Sequence, residues 1–584
     1  MVVEKNEKSD VVTFPQFERS FFDADETFTV IGPGEIGGKA HGLAFAKELL
    51  HRQFPFGNFP HIRVTIPKLT VITTHFFDIF MAENNLYEYA LSASRDERIA
   101  RAFQQADLPA DLVGDLWALI SEVNAPLAIR SSSLLEDAKH EPFAGIYCTK
   151  MIPNNQPDTA TRFRLLTEAI KFVYASTFFS SAKDYLNATQ HRVEDEKMAV
   201  IIQEVVGRKY GTRCYPNISG VARSYNYYPY GHAKPEDGIV NLALGLGKTI
   251  VDGGTTWAYS PKFPKANPPY SSLQQLMKET QSTFWAVNMG KPPAFDPLKE
   301  TEYLEQVTLR EAEHDGTLTH IASTYSAQSD SLMSGVGRSG PRLITFGPVL
   351  RTDIFPLNAV IQQLLIIGAE SLQSGIEIEF AINLGDRAEK TQFGFLQIRP
   401  MVIPGDVVSV TDQELTGDRV LVSSKKVLGN GSISHIRDIV YVKPDRFNPV
   451  NILQIASELA DINRDLVESK KQFLLIGFGR WGSSDHWLGI PVTWNQINGA
   501  KVIVEAKLKD IHIDLSQGSH FFHNLTSFQV SYFSTPNCEQ AIDWSWLNKQ
   551  AVVKETLYVR HVRSPSCLTI KVDGITGRGV IYHE

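Results

Sequence analysis

The sequence predicts a mixed protein of the α+β or α/β class with at least two domains. The chain has 584 residues, which is enough for two to four domains that each have a core of their own. Short apolar or alternating segments typical of strands recur along it, and helical patterns with one apolar face lie between them. The apolar content of 43% and the charged content of 21% are ordinary for a globular protein.

Composition and charge exclude several classes of protein. The net charge is −8, so no basic surface for nucleic acid is predicted. No apolar run approaches the roughly 20 residues of a membrane-spanning helix, and the first ten residues lack the apolar stretch of a secretory signal. The four cysteines lie far apart without a C-x-x-C pair, which favours neither a disulfide framework nor a cysteine-bound metal. We therefore expect a cytoplasmic protein without a nucleic-acid or membrane partner.

The first structured segment begins at residue 28, after a polar extension over residues 1–27. A short strand, Phe28–Ile31, runs into a glycine loop, and a helix follows it. The apolar residues of this helix share one face: Leu43, Ala46, Leu49 and Leu50. Lys39 lies at the start of the helix, where its ammonium group adds to the positive end of the helix dipole.

This glycine loop is not a P-loop of the form G-x-x-x-x-G-K-[ST]. Counting back from Gly38-Lys39, Pro33 occupies the first glycine position, and Ala40 replaces the hydroxyl that would bind magnesium. The alternative interpretation is a glycine turn that caps the helix and leaves the lysine in solvent.

The densest polar pattern lies in residues 126–149. An apolar strand, Leu127–Ile129, leads into Arg130, three serines and the acidic pair Glu136-Asp137, and Phe143-Ala144-Gly145 then presents bare backbone. One cation, several hydroxyls and exposed amides within so short a span suit a polyphosphate. The alternative is a surface loop with an ordinary arginine–carboxylate pair.

A second polar pattern occupies residues 375–400, where two alternating strands flank a polar turn. Alternation places Glu377 and Glu379 on one face of the first strand, and Gln397 and Arg399 on one face of the second. If the strands pair as a hairpin, a carboxylate, an amide oxygen and a guanidinium converge, as a magnesium ion shared with phosphates requires. The alternative is a surface hairpin with a cross-strand ion pair.

Residues 405–584 predict a separate small α/β domain of uncertain role. Its strands are predicted at 419–423, 436–443, 473–477, 501–505 and 528–533, with a helix near 450–468. Residues 260–345 are rich in Pro, Ser and Gly and are predicted to be insertions and loops without chemistry.

The C-terminal region also contains a formal G-x-G-x-x-G at Gly477, Gly479 and Gly482. A dinucleotide site needs the third glycine to open a helix, and Pro491 makes such a helix improbable. A possible ligand loop remains, with these polar or aromatic members: Arg480, Trp481, Ser483, Ser484 and Asp485.

Several of these segments, in this order, resemble the ATP-binding domain of the phosphoenolpyruvate synthase and pyruvate phosphate dikinase family. The family motif V-R-S-S-A-x-x-E-D-x-x-x-x-S-F-A-G has eight matches here: Arg130, Ser131, Ser132, Glu136, Asp137, Phe143, Ala144 and Gly145. Lys39 falls in the family's G-G-K-x-x-x-L segment, and Glu379, Gln397 and Arg399 fall in D-I-E-W-A and L-Q-x-R-P. The departures in these motifs are Ser133 for Ala, Pro142 for Ser, Glu377 for Asp and Phe380 for Trp. Two further segments, 219–231 and 241–257, also resemble the family. In them Ala222-Arg223 replaces the usual Phe-Thr, and Lys248 replaces the usual Glu.

The resemblance implies a two-lobed ATP-grasp unit, with an N-terminal lobe over 28–190 and a C-terminal lobe carrying the magnesium hairpin over 191–404. Lys39 and Arg130 would hold phosphates and Arg399 would stabilise the transferring group. The other implied ATP contacts are Gly145, Thr149 and, around the adenine, Gln203, Glu204 and Val206. Glu379 and Gln397 would bind Mg²⁺.

Family chemistry implies an ATP-dependent phosphotransferase that passes phosphate to a histidine and then to an acceptor such as pyruvate. The family's T-x-G-G-x-x-S-H-x-A histidine motif is echoed only weakly, at His435 and His520, for which a structural role is the favoured interpretation. No pyruvate-binding barrel is recognisable. Two alternatives remain: a non-catalytic ATP-binding regulator, and a phosphotransferase for another acceptor such as a glucan or an antibiotic.

Overall fold

The computed structural model describes most of the chain. It covers residues 14–18, 27–92, 94–136, 145–187, 192–266, 272–296, 298–352, 355–385, 390–401, 408–483, 489–506, 519–535, 541–574 and 576–584. The motif residues Asp137, Pro142, Phe143 and Ala144, the loop residues Ser484 and Asp485, and most of the predicted N-terminal extension lie outside these ranges. None of the described helices has the length and apolarity needed to cross a lipid bilayer.

Helices and strands alternate along the described chain, which confirms the mixed fold class. The elements up to residue 223 are β1 (Phe28–Ile31), α1 (Gly37–Gln53), β2 (Ile62–Thr65), β3 (Leu69–Ile72), α2 (Thr74–Glu83), α3 (Leu86–Leu91), α4 (Asp96–Gln105), α5 (Ala110–Glu122), β4 (Leu127–Ser133), β5 (Thr149–Ile152), α6 (Thr159–Ser176), α7 (Ser180–Asn187), β6 (Met198–Glu204), β7 (Arg208–Tyr210), β8 (Arg213–Tyr215) and β9 (Ile218–Arg223). Those up to residue 401 are β10 (Ile239–Ala243), α8 (Lys248–Val251), β11 (Trp257–Tyr259), α9 (Leu273–Glu279), β12 (Thr283–Asn288), β13 (Leu304–Thr308), α10 (Leu309–His314), β14 (Ala322–Ser326), β15 (Ser331–Ser334), β16 (Arg342–Ile344), α11 (Gly347–Arg351), α12 (Leu357–Leu372), β17 (Gly375–Asn383) and β18 (Thr391–Met401).

The C-terminal region contributes a second series of elements. They are β19 (Val420–Ser424), β20 (Val427–Leu428), β21 (Gly431–Ile433), β22 (Asp438–Val442), α13 (Ile452–Glu468), β23 (Phe473–Phe478), β24 (Arg480–Trp481), β25 (Gly489–Ile490), β26 (Ala500–Ala506), α14 (His520–Ser527), β27 (Ser531–Thr535), α15 (Trp544–Leu547), β28 (Ala551–Glu555), β29 (Val559–Arg563), β30 (Thr569–Asp573) and β31 (Arg578–Tyr582).

Two sheets dominate the first two thirds of the chain. One has the strand order β1-β3-β6-β4-β5, and the other has the order β11-β10-β9-β17-β18-β2. Strand β2 thus joins the second sheet and β6 joins the first. The two sheets therefore take strands from both sides of residue 190.

Helix α1 packs against strands of both sheets, because its buried face contacts β4 on one side and β18 on the other. The four apolar residues predicted to share its face are all buried: Leu43, Ala46, Leu49 and Leu50. Gly42 allows the closest approach, since a Cβ there would lie 2.8 Å from the Ile398 carbonyl oxygen. Lys39, at the first turn of α1, is consequently held beside both sheets.

The prediction of loops without structure over residues 260–345 is wrong. Strands β12 and β13 form a four-stranded sheet in the order β13-β12-β8-β7, and β14, β15 and β16 form another small sheet. Val287 pairs with Cys214 across β12 and β8. This long-range pairing orders a segment whose Pro, Ser and Gly content suggested turns, because tertiary contacts override local propensity.

The C-terminal region is built on a seven-stranded sheet in the order β20-β27-β26-β23-β22-β29-β28. The four central strands, β22, β23, β26 and β27, run parallel to one another. Every residue of β23 is buried, as expected for a parallel strand covered on both faces. The residues after Ser483 that would test a helix following Gly482 lie outside the described ranges, so the rejection of a dinucleotide fingerprint stays a prediction.

One predicted strand boundary is wrong here. The segment 528–533 does not begin as a strand, because α14 continues through Ser527 and Gln529 then adopts a left-handed turn with φ of 51°. The strand itself, β27, starts only at Ser531. Its partner β26 and the helix α13 lie where the sequence predicted a strand and a helix.

Candidate functional site

A cavity of about 250 Å³ opens between the two large sheets and the start of α14. Eleven of the twelve predicted site residues line it: Lys39, Arg130, Gly145, Thr149, Gln203, Glu204, Val206, Glu379, Gln397, Arg399 and His520. These residues come from segments up to 481 positions apart, since 520 − 39 = 481. The fold therefore brings the separate sequence patterns to one place, while the role of each residue stays a prediction.

Lys39 is held at the cavity wall by two side chains from β4 and the turn after it. Its Nζ lies 2.7 Å from Glu136 Oε1 and donates to Ser131 Oγ at 3.1 Å. Ser131 Oγ in turn donates to the same carboxylate oxygen at 3.0 Å. Because only 12% of the Lys39 side chain is exposed, its ammonium group is confined to a small region next to the cavity.

The glycine loop before Lys39 is explained by close packing of backbone on backbone. A Cβ on Gly37 would lie 1.8 Å from the Ser132 carbonyl oxygen, and one on Gly38 would lie 1.7 Å from the Glu136 carbonyl oxygen. Gly37 also has φ of +75°, which side chains rarely tolerate. These glycines let α1 lie directly against β4 and the turn after it, and so they place Lys39 at the same wall of the cavity.

Arg130 connects three strands through its guanidinium group. Nη1 donates to Gln203 Oε1 at 3.0 Å and to the Leu396 carbonyl oxygen at 2.9 Å, and Nη2 donates to Gln397 Oε1 at 2.9 Å. Strands β4, β6 and β18 are therefore tied together at the cavity. The side-chain Nε2 of Gln203 is buried without a partner among the described residues, so it has a donor to spare.

The end of β6 supplies an apolar edge to the cavity. Apolar side chains line the cavity near this edge, among them Ala128, Met151, Val205, Val206, Leu246, Leu304 and Leu396. The backbone N–H of Glu204 donates to the Lys68 carbonyl oxygen, and that of Val205 donates to the Pro126 carbonyl oxygen, both at 2.9 Å. A strand edge with apolar walls is the kind of surface that accepts a flat heterocycle such as adenine.

The predicted hairpin forms, with β17 and β18 antiparallel. Glu377 pairs with Arg399 and Glu379 pairs with Gln397 in the register. Glu379 and Gln397 both line the cavity, and their carboxylate and amide oxygens are hard donors of the kind that Mg²⁺ accepts alongside phosphate and water. This donor set fits the predicted magnesium ion, although Gln397 Oε1 also accepts from Arg130.

Behind this pair lies a buried carboxylate shared by two arginines. Arg399 Nε donates to Glu377 Oε1 at 2.7 Å, and Arg223 donates to the other carboxylate oxygen. All three side chains are at most 3% exposed. Burial raises the pKa of Glu377, but the two guanidinium groups outweigh it and hold the pKa below its usual value.

Arg223 was not predicted as part of the site, although its departure from the family's usual Thr was the available signal. Its guanidinium also lies 4.8 Å from the ring centroid of Phe522, on α14. Tyr227 packs edge-on against the same ring at 5.4 Å. The C-terminal region therefore packs against the end of β9, the strand next to the hairpin.

His520, the first residue of α14, reaches the cavity wall and packs on Gly145. A Cβ at Gly145, whose φ is +69°, would lie 2.4 Å from His520 Nδ1. Burial first, and then four neighbouring cations, hold the pKa of the His520 imidazole well below its usual value: Arg399, Lys39, Lys248 and Arg130. The ring is therefore neutral at neutral pH and keeps a lone pair on one nitrogen.

His435 is the predicted site residue that does not line the cavity. It is exposed, and its Nε2 lies 2.6 Å from Gln472 Oε1. The segment after it forms β22, as the sequence predicted.

Three charged residues at the cavity were missed by sequence reasoning: Lys248, Asp252 and Glu300. Lys248 was noted only as a departure from the family pattern. Glu300 lies in the segment predicted to have no chemistry, and its Oε1 accepts from the Thr149 N–H at 3.2 Å. Burial raises the pKa of the Glu300 carboxyl group above its usual value. No local motif surrounds Glu300, so only the fold reveals it.

Comparison with known protein families gives a match over most of the chain. The family model described as pyruvate phosphate dikinase, AMP/ATP-binding domain, matches residues 34–413. No curated protein matches the chain. The matched residues make up well over half of the 584-residue chain and include every element around the cavity except α14. The chain therefore belongs to the family of pyruvate phosphate dikinase AMP/ATP-binding domains.

Proposed function

We propose that this protein is an ATP-dependent phosphotransferase of the pyruvate phosphate dikinase and phosphoenolpyruvate synthase type. ATP would bind with magnesium in the cavity, in an ATP-grasp arrangement, and a phosphoryl group would pass to His520. The observation that carries the proposal is that His520, from outside the matched family domain, lines the same cavity as Lys39, Arg130 and Arg399.

The cavity walls support a definite placement of the nucleotide. The adenine would lie along the end of β6 at Gln203, Glu204 and Val206, where the apolar walls are. The phosphates would extend toward Lys39 and Arg130, two cations whose positions are fixed by their hydrogen bonds to Glu136 and Gln397. Fixed cations cost no reorganisation when charge develops on phosphate oxygens, so they favour phosphoryl transfer.

Gly145 and Thr149 would make the close contacts on the remaining side. Glu379 and Gln397 would hold the magnesium ion, which neutralises charge on the phosphates when it is bound. Arg399 would stabilise the group in transfer from its position between Glu377 and Glu379, whose Oε1 lies 3.8 Å away.

His520 is suited to accept the phosphoryl group because it is neutral and surrounded by cations. In the proposed step, an imidazole nitrogen forms a bond to phosphorus while the bond from phosphorus to the leaving nucleotide oxygen breaks. The cations around the ring stabilise the product phosphohistidine as well as the departing nucleotide. Membership in the family favours pyruvate as the final acceptor, with a glucan or an antibiotic as the other candidates.

A non-catalytic ATP-binding regulator is the second candidate, and one observation favours it. Arg399 and Lys39 are both already paired with buried carboxylates, Glu377 and Glu136. Each carboxylate offsets part of the positive charge that would stabilise a transition state, which favours binding of ATP without turnover.

Incubation with Mg-ATP carrying label on the β or the γ phosphate distinguishes the two candidates. The phosphotransferase yields AMP or ADP and an acid-labile label that mass spectrometry assigns to the His520 peptide. Tight binding of ATP without AMP, ADP or labelled protein, in the presence and absence of pyruvate, would favour the regulator instead.

A further inference from the structure

Lys248 lies at the cavity but is not among the residues expected to contact the nucleotide. It begins the short helix α8, directly after a glycine turn in which Gly245 has φ of +81°. Only 16% of its side chain is exposed, and it lines the cavity together with Asp252. The end of this helix meets the C-terminal region, because Arg480 Nη1 donates to the Gly253 carbonyl oxygen at 2.8 Å.

Lys248 also lies near His520, because the end of helix α8 approaches the start of α14. A Cβ at Gly253 would lie 3.8 Å from the Cβ of Ser519, the residue before His520. Lys248 is also one of the cations whose charge lowers the pKa of His520. The lysine and the proposed phosphoryl acceptor therefore share one end of the cavity.

Two carboxylates stabilise the positive charge of Lys248. Its Nζ lies 2.9 Å from Asp252 Oδ2, one helical turn away. Burial lowers the pKa of Lys248, but Asp252 and Glu300 outweigh it and keep the pKa above its usual value. Because an ammonium group can turn its donors toward another acceptor, Lys248 can exchange its bond to Asp252 for one to a ligand in the cavity.

The balance of charge shows the contribution of this lysine. Among the described residues that line the cavity, the charged side chains divide evenly, four against four: Lys39, Arg130, Lys248 and Arg399 against Glu204, Asp252, Glu300 and Glu379. Without Lys248 the count becomes three against four, a formal charge of −1. With Glu at this position, as in the family pattern, it becomes three against five, a formal charge of −2. Each added negative charge at the cavity weakens the binding of a polyphosphate.

We propose that Lys248 binds the terminal phosphoryl group of ATP at the end of the cavity near His520, exchanging its bond to Asp252 for a phosphate oxygen. It would thereby select nucleotides that carry a third phosphate and hold that group beside the acceptor. The inference rests on the proposed binding of ATP in this cavity, but not on turnover.

The test compares the dissociation constants of ATP, ADP and AMP, each with magnesium, for the wild type and for Lys248→Ala. Loss of a charged hydrogen bond predicts roughly 10- to 100-fold weaker binding of ATP. We expect a much smaller effect on ADP and none on AMP. Lys248→Glu should weaken ATP further, whereas Lys248→Arg should largely restore it.

Lys299→Ala is the matched control, because Lys299 is exposed and adjacent to Glu300 but does not line the cavity. Asp252→Asn provides a second variant, which should tighten ATP binding because the amide competes less for the ammonium group. An equal effect of Lys248→Ala on ATP, ADP and AMP, or no effect on ATP, would overturn the inference alone. Absence of nucleotide binding by the wild type would overturn the proposed function as well.

Discussion

The C-terminal region contains two Ser-His pairs, Ser434-His435 and Ser519-His520, which lie at different edges of the seven-stranded sheet. His435 lies just before β22, at the amino end of a parallel strand, and is exposed. His520 begins α14, which precedes the parallel strand β27, the neighbour of β26. The start of such a helix lies at the carboxyl edge of the sheet, where α/β proteins place their ligands.

The two pairs differ in the secondary structure on the C-terminal side of the histidine. A strand after His435 leaves the histidine at the amino edge of the sheet, at the opposite end of the strand from the carboxyl edge. A helix after His520 leaves the histidine at the helix start, where Ser519 caps the helix by accepting from the Phe522 N–H at 3.2 Å. The helix or strand that follows a Ser-His pair is therefore a better guide to whether the histidine reaches the cavity than the pair itself is.

The largest predicted effect comes from replacing the histidine at the cavity. We expect His520→Gln to lower phosphoryl transfer by at least about a thousandfold, because a nucleophile is lost. The dissociation constant of ATP should change only slightly. Transfer of labelled phosphate to the protein measures the first quantity, and equilibrium binding measures the second.

His435→Gln is the control for that experiment and should transfer phosphate at close to the wild-type rate. If His435→Gln abolished transfer while His520→Gln retained it, the comparison of the two pairs would be reversed.

A smaller effect is expected from loosening the helix that carries His520. Phe522 is fully buried and contacts Arg223 and Tyr227, so Phe522→Ala should remove about 3 kcal/mol from the free energy of unfolding. Misplacement of His520 should also lower kcat by roughly 10- to 100-fold. Binding of ATP should remain close to that of the wild type.

Phe473→Ala separates misplacement from general destabilisation. Phe473 is similarly buried but begins β23 at the amino edge of the sheet. Its replacement should cost similar stability and leave kcat unchanged. Equal losses of kcat in both variants would indicate that stability, and not the position of α14, limits the reaction.

The smallest predicted effect concerns the pH dependence of stability. Burial, and then the surrounding cations, depress the pKa of His520 in the folded state. The unfolded chain therefore takes up the proton first, so this contribution to stability is present above pH of about 6.5 and is lost as the pH falls. Below that pH it falls by at most about 1.4 kcal/mol per pH unit, the limit for uptake of one proton.

His520→Asn should therefore flatten the fall in the free energy of unfolding below a pH of about 6.5, as measured by chemical denaturation. His435→Asn, at an exposed position, should keep the wild-type slope. Identical slopes in the wild type and both variants would contradict the buried, neutral state of His520.

Sequence reasoning located eleven of the cavity residues, most of them because they belong to a dense local pattern. Arg130 sits among serines and glycines, and Glu379 and Gln397 lie on alternating strands whose pairing the structure confirms. Glu300 was missed because its place depends on the pairing of β12 with β8. Arg223 was missed as a partner of Glu377 because the 154 positions that separate them contain no signal of their contact.

By itself, the sequence determined the mixed class, the strands and helices that carry the main motifs, and the family to which the chain belongs. Periodicity and local motifs carry this information, since neighbouring residues decide which faces are apolar and where turns occur. Only the tertiary structure decided that His520 and not His435 reaches the cavity, and that Lys248 and Glu300 join it. These contacts cross hundreds of residues, and they depend on strand register and on how one sheet packs beside another.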